Sequence, residues 1–337
     1  MTAEAVVRRN LRLTQELLAV HAQLEAAGVS ALPFKGPMLA VQLYGNLAMR
    51  QSHDLDFLID RADLGRAAEV LVTREYRPPS LLATPCGARF LDTQRQYRFT
   101  RDDGAIVEVH WDLAPNHLSF PVDPESVWSS VEFIHLGGRL VPTVGRSQLL
   151  LLLCAHGAKH CWVRLSWIRD VAQLVRVEAN TDWEAVVTEA RHRGAVRMVL
   201  LGLVLAAELC DAPVPLAVIE RARSDVAVAS LAREVRERLS TDPPHEPTAW
   251  ESHRFQFRVR ERWRDRIRMM GVLTFIPRVT DLEWVRLPEP LYLLYYVLRP
   301  LRLVVKYLVR PVAKYATRVM SRSSRQLQVS GRSAQEG

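Results

Sequence analysis

The pattern of apolar and polar positions separates the chain into two kinds of sequence. Up to about residue 144, strands and helices alternate. Residues 3–27 place Leu11, Leu17, Leu18 and Leu24 near one face at helical spacing, which predicts an amphipathic helix. The apolar run Ala31 to Phe34 reads as a short strand leading into a helix through Met38, Leu39 and Leu43. Leu55 to Ile59 is a second strand and Leu64 to Thr73 a helix. Gln96–Arg101 and Ala105–Trp111 flank Asp102-Asp103-Gly104, a good hairpin turn. Gly137-Gly138 joins Val131–Leu136 to Arg139–Thr143 in a second hairpin.

From Ser147 to Arg238 the spacing is almost wholly helical: Leu149–His160, Leu165–Val175, Trp183–Arg193, Ala195–Leu209 and further segments. Pro243, Pro244 and Pro247 form a breaker-rich linker before a strongly charged helix, Ser252 to Met270. A last apolar stretch begins near Pro288 and fades after Ser321 into a Ser/Arg/Gln tail. The expected fold class is α+β. An α+β domain with its N-terminal helix is expected over residues 1–145, followed by an all-helical domain over 146–285. A basic amphipathic helix over 286–322 and a disordered tail over 323–337 complete the expected organisation.

Composition narrows the class without deciding it. With 48% hydrophobic and 24% charged residues, wholesale disorder is excluded. The formal net charge of +8 favours an anionic partner, whether nucleotide, nucleic acid or acidic membrane face. Lysine occurs only at Lys35, Lys159, Lys306 and Lys314, so each one stands out. Cys86, Cys154, Cys161 and Cys210 form no CxxC pair, and a reducing compartment is the simplest setting. The first residues lack the apolar core of a signal peptide, and no run of eighteen apolar residues occurs, so the expected location is cytoplasmic.

The chemistry concentrates between Phe34 and Trp111. Arg50-Gln-Ser52-His-Asp54-Leu-Asp56 leads into an apolar strand, and period-two alternation sends Asp54 and Asp56 to one face. Two adjacent anions repel each other unless a cation lies between them, and Mg²⁺ or Mn²⁺ suits such oxygen donors. The alternative is a strand start with solvated acids. Ile106-Val-Glu108-Val-His110-Trp111 is another strand, with Glu108 and His110 on one face. If it neighbours the first, Glu108 completes a three-carboxylate cluster able to hold two ions about 3.5–4 Å apart. At Leu32-Pro-Phe34-Lys35-Gly36-Pro37 a strand meets a helix start whose backbone N–H groups suit phosphate oxygens, with Lys35 beside them. An ordinary strand-to-helix connection explains the same residues.

Together these residues resemble the DNA polymerase β-type nucleotidyltransferase superfamily, and more closely its bacterial uncharacterised nucleotidyltransferase family. The matching pieces are Lys35-Gly36; Arg50, Ser52, Asp54 and Asp56; Glu108, His110 and Trp111; and Lys159-His160-Cys161-Trp162 with Trp167 and Asp170. The resemblance spans roughly residues 10 to 240. Pro37 stands where the superfamily usually has Ser or Gly, and Glu108 where it commonly has Asp. The resemblance implies a polymerase β-like nucleotidyltransferase domain with a mixed sheet. It also implies Mg²⁺-dependent transfer of a nucleoside monophosphate from a nucleoside triphosphate to an acceptor hydroxyl, on a small molecule or a protein. Asp54, Asp56 and Glu108 would be the catalytic metal ligands. Lys35, Gly36, Arg50, Ser52, Lys159 and His160 would bind the nucleotide. A catalytically weak scaffold of the same fold, associated with the membrane surface, is the alternative.

Two further patterns remain open. His156 and His160 share a helix face at i, i+4, which suits zinc poorly because no third ligand lies nearby. Trp162 and Trp167 fit either base stacking or packing, and Asp170 suits a pair with Arg164 or Arg169. Arg299, Arg302, Lys306, Arg310, Lys314, Arg318 and Arg322 recur every three or four residues beside an apolar surface. Such a stripe fits an anionic membrane surface, a nucleic acid backbone or a solvated face.

Overall fold

The structure is a computed structural model, and it describes residues 3–84, 86–112, 124–178, 180–243 and 245–306. The expected α+β class holds. A four-stranded mixed sheet has the order β1 (Ala31–Pro33), β2 (Leu55–Ile59), β4 (Ile106–His110), β3 (Gln96–Thr100). The first helices are α1 (Ala3–Ala26), α2 (Gly36–Tyr44), α3 (Leu64–Thr73), α4 (Gly87–Asp92) and α5 (Pro124–Ser129). β1 runs antiparallel to β2, β2 parallel to β4, and β3 antiparallel to β4. Every residue of β2 is buried, which explains its apolar composition and makes Asp56 within it an anomaly.

The buried face of α1 is Asn10, Leu13, Thr14, Leu17, Val20, His21 and Leu24, a stripe at three- and four-residue spacing. Leu11, expected on that face, is instead exposed, because it lies one position past the polar Asn10 that occupies the stripe. The second hairpin forms β5 (Val131–Leu136) and β6 (Arg139–Val144), and it is tied to the sheet side by two hydrogen bonds. Thr143 Oγ1 donates to the Pro33 carbonyl at 2.6 Å, and Gln42 Nε2 donates to that of Val144 at 3.0 Å.

Helices then follow without interruption by strands: α6 (Arg146–Lys159), α7 (Leu165–Val177), α8 (Trp183–Arg193), α9 (Val196–Cys210), α10 (Leu216–Ser224) and α11 (Val226–Leu239). α9 is buried from Met198 to Ala206 on all sides, as expected of a helix with almost no polar face. One apolar core joins Leu32, Phe34, Leu39, Leu43 and Leu58 to α6, α7, α9 and α11. The shift from mixed to all-helical structure near residue 145 therefore occurs inside a single packed core.

The charged helix expected over Ser252 to Met270 is two helices, α12 (Ala249–Arg258) and α13 (Trp263–Phe275). The intervening chain serves α9. Glu261 accepts from the backbone N–H groups of Val196 and Arg197 at 3.0 and 3.3 Å, capping that helix's N-terminus. Arg197 in turn donates to the Arg258 carbonyl at 3.2 Å. These contacts draw residues 259–262 out of helical geometry.

The chain divides into two compact units, residues 1–269 and 270–337. In the second, α14 (Val279–Trp284) and α15 (Tyr295–Val304) are joined by charge. Asp281, 1% exposed, accepts from Arg299 at 2.8 Å and lies 2.6 Å from Arg302 Nε. Arg299 is itself buried and also donates to the Leu273 carbonyl. The expectation of an outward basic stripe is thus corrected at these two positions, whose guanidinium groups turn to a buried carboxylate; Arg299 bonds its Oδ2, while Oδ1 meets Arg302 Nε as an ion pair without a hydrogen bond. Arg310, Lys314, Arg318 and Arg322 lie outside the described residues. Among the described residues no helix is long and apolar enough to cross a membrane.

Candidate active site

The parallel pairing of β2 with β4 sets Asp56 directly opposite Glu108. Alternation then brings His110 to the same face. One ligand atom from each of Asp56, Glu108 and His110 lies within 4.8 Å of the others. His110 Nε2 is 3.0 Å from Asp56 Oδ1 and 3.6 Å from Glu108 Oε2. Lys35 Nζ donates to the same Asp56 oxygen at 2.8 Å. The other oxygen, Oδ2, is buried and has no hydrogen-bond partner. Asp54 lies just before β2, half-buried in the same cavity.

These groups perturb one another. Burial, together with the charges of Asp56 and Glu108, pushes the Asp54 carboxyl up to about 6. Burial would raise Asp56 as well, but Lys35 and His110 outweigh it and hold that carboxyl well below the usual range. Glu108 is also held low: its burial is offset by the hydrogen bond from His110. A buried carboxylate oxygen without a hydrogen bond, with Glu108 and His110 grouped around Asp56 and the Asp54 charge nearby, fits a divalent ion that prefers oxygen donors, as Mg²⁺ and Mn²⁺ do.

The turn before α2 abuts the acids. Gly36 has φ +55°, and a Cβ there would stand 2.8 Å from the Asp54 carbonyl oxygen. Only glycine fits this approach without strain. Pro37 occupies the first turn of α2, where its missing N–H has no intrahelical role. Arg50 donates to the Gly36 carbonyl at 3.3 Å and to Asp170 at 3.0 Å. Asp170 also accepts from Tyr44 at 2.9 Å. The expected partners Arg164 and Arg169 are replaced by Arg50, because Asp170 points inward from α7 and is 1% exposed. Asn10 closes the other side of this loop. Its side chain donates to the carbonyls of Leu47 and Arg50 and accepts from the Ser52 N–H at 3.2 Å. Ser52 Oγ is buried with no partner and borders the cavity.

A cavity of about 810 Å³ connects these pieces, with the acids and Lys35 on one side and α6–α7 on the other. Lys159 and His160 both line it. Burial and the nearby Lys35 charge lower the Lys159 ammonium. His156, His160 and Trp167 form a cluster with ring centroids 4.8–5.3 Å apart. Burial and the Lys159 charge push the His160 imidazole down to about 4, and burial holds His156 well below its ordinary value. The Arg164 guanidinium lies over the Trp167 ring, 5.6 Å from its centroid, and Trp167 is half-buried at the edge of the cavity. Trp162 is not. It is fully buried against Gly157, where a Cβ would collide with the ring at 2.5 Å.

Residues 2–211 match a family described as uncharacterised nucleotidyltransferase, a stretch running from α1 through α9. The chain belongs to that family. No curated protein matches this nucleotidyltransferase family member. Among solved structures, it is similar to an antigenic nucleotidyltransferase-like protein from Paracoccidioides brasiliensis. That similarity is 15% in sequence and covers 54% of this chain and 88% of the other, with a TM-score of 0.34.

Within this nucleotidyltransferase chain, all nine expected site residues border the one cavity. Two others outside the expected set, His110 and Asp170, join them, and Asn10 holds the adjoining loop without lining the cavity. His110 carried a readable signal, since Glu108-Val-His110 alternates on one strand face. Asp170 carried one as the last residue of the pattern with Lys159-His160 and Trp167, and Asn10 carried none beyond a polar residue on a mostly apolar helix face.

Proposed function

We propose that this protein transfers a nucleoside monophosphate from a nucleoside triphosphate to a hydroxyl of a small-molecule or protein acceptor. The observation that carries this reading is the β2–β4 register, which sets Asp56, with its unpartnered oxygen, beside Glu108 at the edge of a large cavity. Asp54, Asp56 and Glu108 would hold Mg²⁺ or Mn²⁺, which supplies Lewis acidity at the acceptor hydroxyl and counter-charge for pyrophosphate.

The remaining steps belong to the chain itself. Lys35 and Lys159 draw the triphosphate into the cavity, and their charge opposes the build-up on its leaving oxygens. The Gly36 turn admits phosphate close to the first N–H groups of α2. Arg50, braced by Asp170 and Tyr44, keeps that turn in place, and Ser52 offers its hydroxyl beside it. His160 and Trp167 provide a ring face for the base. The proposed setting is the cytoplasm, where the four free thiols stay reduced.

The test is incubation with α-labelled nucleoside triphosphates, Mg²⁺ and cell extract. Label transfer that disappears in Asp56→Asn, with an unchanged circular dichroism spectrum, supports the reading. No transfer from any of the four triphosphates, together with no nucleotide binding by calorimetry, overturns it.

A further inference from the structure

Asp56 is contested by basic side chains from the protein itself. Both Lys35 Nζ and His110 Nε2 crowd onto its Oδ1, at 2.8 and 3.0 Å, while Oδ2 is left without a partner. Asp56 is 2% exposed and the Lys35 side chain 21%, so this ion pair is poorly screened by water. A divalent ion on Oδ2 would share one carboxylate with the Lys35 ammonium, and like charges that close repel strongly in such a site. Lys35 is also tethered at the start of α2, next to the Gly36 turn. Its flexible four-carbon stem can exchange one anion for another without moving the backbone.

We propose that Lys35 is a displaceable counter-ion: it opposes metal binding at Asp56 until a nucleoside triphosphate arrives and draws its ammonium away. Metal and triphosphate therefore bind as a coupled pair, and Lys35 sets much of the coupling. The inference rests on the reading above only in that both ligands share this cavity.

Mn²⁺ is titrated into the full-length protein by calorimetry, alone and with the α,β-methylene analogue of ATP, and the analogue is titrated with and without Mn²⁺. In the wild type each ligand tightens the other by the same factor, about tenfold or more. Lys35→Met is expected to bind Mn²⁺ alone about tenfold more tightly than the wild type, which shrinks the coupling by that factor. Lys35→Gln, which retains a donor for Asp56 Oδ1, serves where the methionine variant does not fold and should show the same direction. Lys35→Arg keeps the charge and should keep Mn²⁺ weak. Lys159→Met removes a nearby charge that does not touch Asp56 and should raise Mn²⁺ affinity less than Lys35→Met.

Unchanged or weaker Mn²⁺ binding in the folded Lys35→Met or Lys35→Gln protein overturns the inference, as does an equal gain in Lys159→Met. Mn²⁺ binding without coupling to the analogue overturns the inference alone. No Mn²⁺ binding under any condition overturns both it and the metal-dependent reading. Intact coupling in a protein that transfers no label sinks the transfer reading and leaves the role of Lys35 standing.

Discussion

Asp56 and Asp281 are both almost fully buried aspartates beside two basic side chains, yet their surroundings differ. Asp281 is enclosed by guanidinium groups from Arg299 and Arg302 and accepts the Arg278 N–H at 2.7 Å; its Oδ1 also lacks a hydrogen bond but lies 2.6 Å from Arg302 Nε. Arginine keeps its charge and holds planar geometry, so this arrangement is fixed. Asp56 instead meets a lysine and a histidine on one oxygen, leaves the other without a hydrogen bond, and borders a cavity with Glu108 directly opposite and Asp54 nearby. A buried acid near positive charge is therefore not itself a sign of chemistry. What marks a site is an anion whose partners can be exchanged, next to space for something to exchange with.

The largest effect should separate the two aspartates by function. Asp56→Asn is expected to lower label transfer about a thousandfold or more, equivalent to roughly 4 kcal/mol of barrier. Asp281→Asn should leave transfer unchanged. Its effect falls on stability, because it strands the buried Arg299 guanidinium, and a broken buried pair costs about 3 kcal/mol. Hydrogen exchange over residues 270–306 would show that loss directly. Transfer that falls equally in both variants would erase the distinction between them.

How much of this was readable in advance follows from the range of each interaction. Period-two alternation put Asp54 with Asp56 and Glu108 with His110, and the strand bounds Leu55–Ile59 agree with those found. The adjacency of the two strands needed the fold, because a parallel pair has no connecting turn to announce it. The bonds of Asp170 and Asn10 cross 120 and about 40 residues, and no local pattern specifies such partners. The break at residues 259–262 was hidden for the same reason: the sequence there is compatible with helix, and the demand for Glu261 comes from the distant N-terminus of α9. At Arg299 the helical spacing was read correctly, but the direction of the side chain depended on an acid eighteen residues earlier.

The next effect concerns the turn that distinguishes the Asp56 region from the arginine-locked one. Gly36→Ala places a Cβ 2.8 Å from the Asp54 carbonyl oxygen at a φ of +55°. The strain should cost about 2 kcal/mol of stability. Transfer should fall as well, because the Asp54 loop and the α2 turn must separate to relieve the contact. A Gly45→Ala variant, also at positive φ but with nothing within 4 Å of the added Cβ, separates backbone strain from this collision. Equal loss of transfer in the two would mean that the close approach to Asp54 is unimportant.

The smallest effect is in acid, and it arises from groups whose charges oppose one another. His160 is shifted down to about 4 from 6.5, so the fold favours its neutral form. Its contribution to stability is complete above pH 6.5 and is lost as pH falls toward 4. Asp54 is shifted up to about 6 from 3.8, so the fold favours the protonated acid. Its contribution is complete below pH 3.8 and is lost as pH rises toward 6. Over the same interval the two slopes have opposite signs. With EDTA present, Asp54→Asn removes the opposing slope, and the protein should lose more melting temperature than the wild type between pH 6.5 and 4. His160→Gln should lose less. Each difference is expected to be about 1.5 °C, the shift that roughly 1 kcal/mol produces in a chain of this size. Parallel melting curves for all three proteins would mean that neither group feels the cavity as described, and that the Asp56 side of the comparison is as rigidly matched as the Asp281 side.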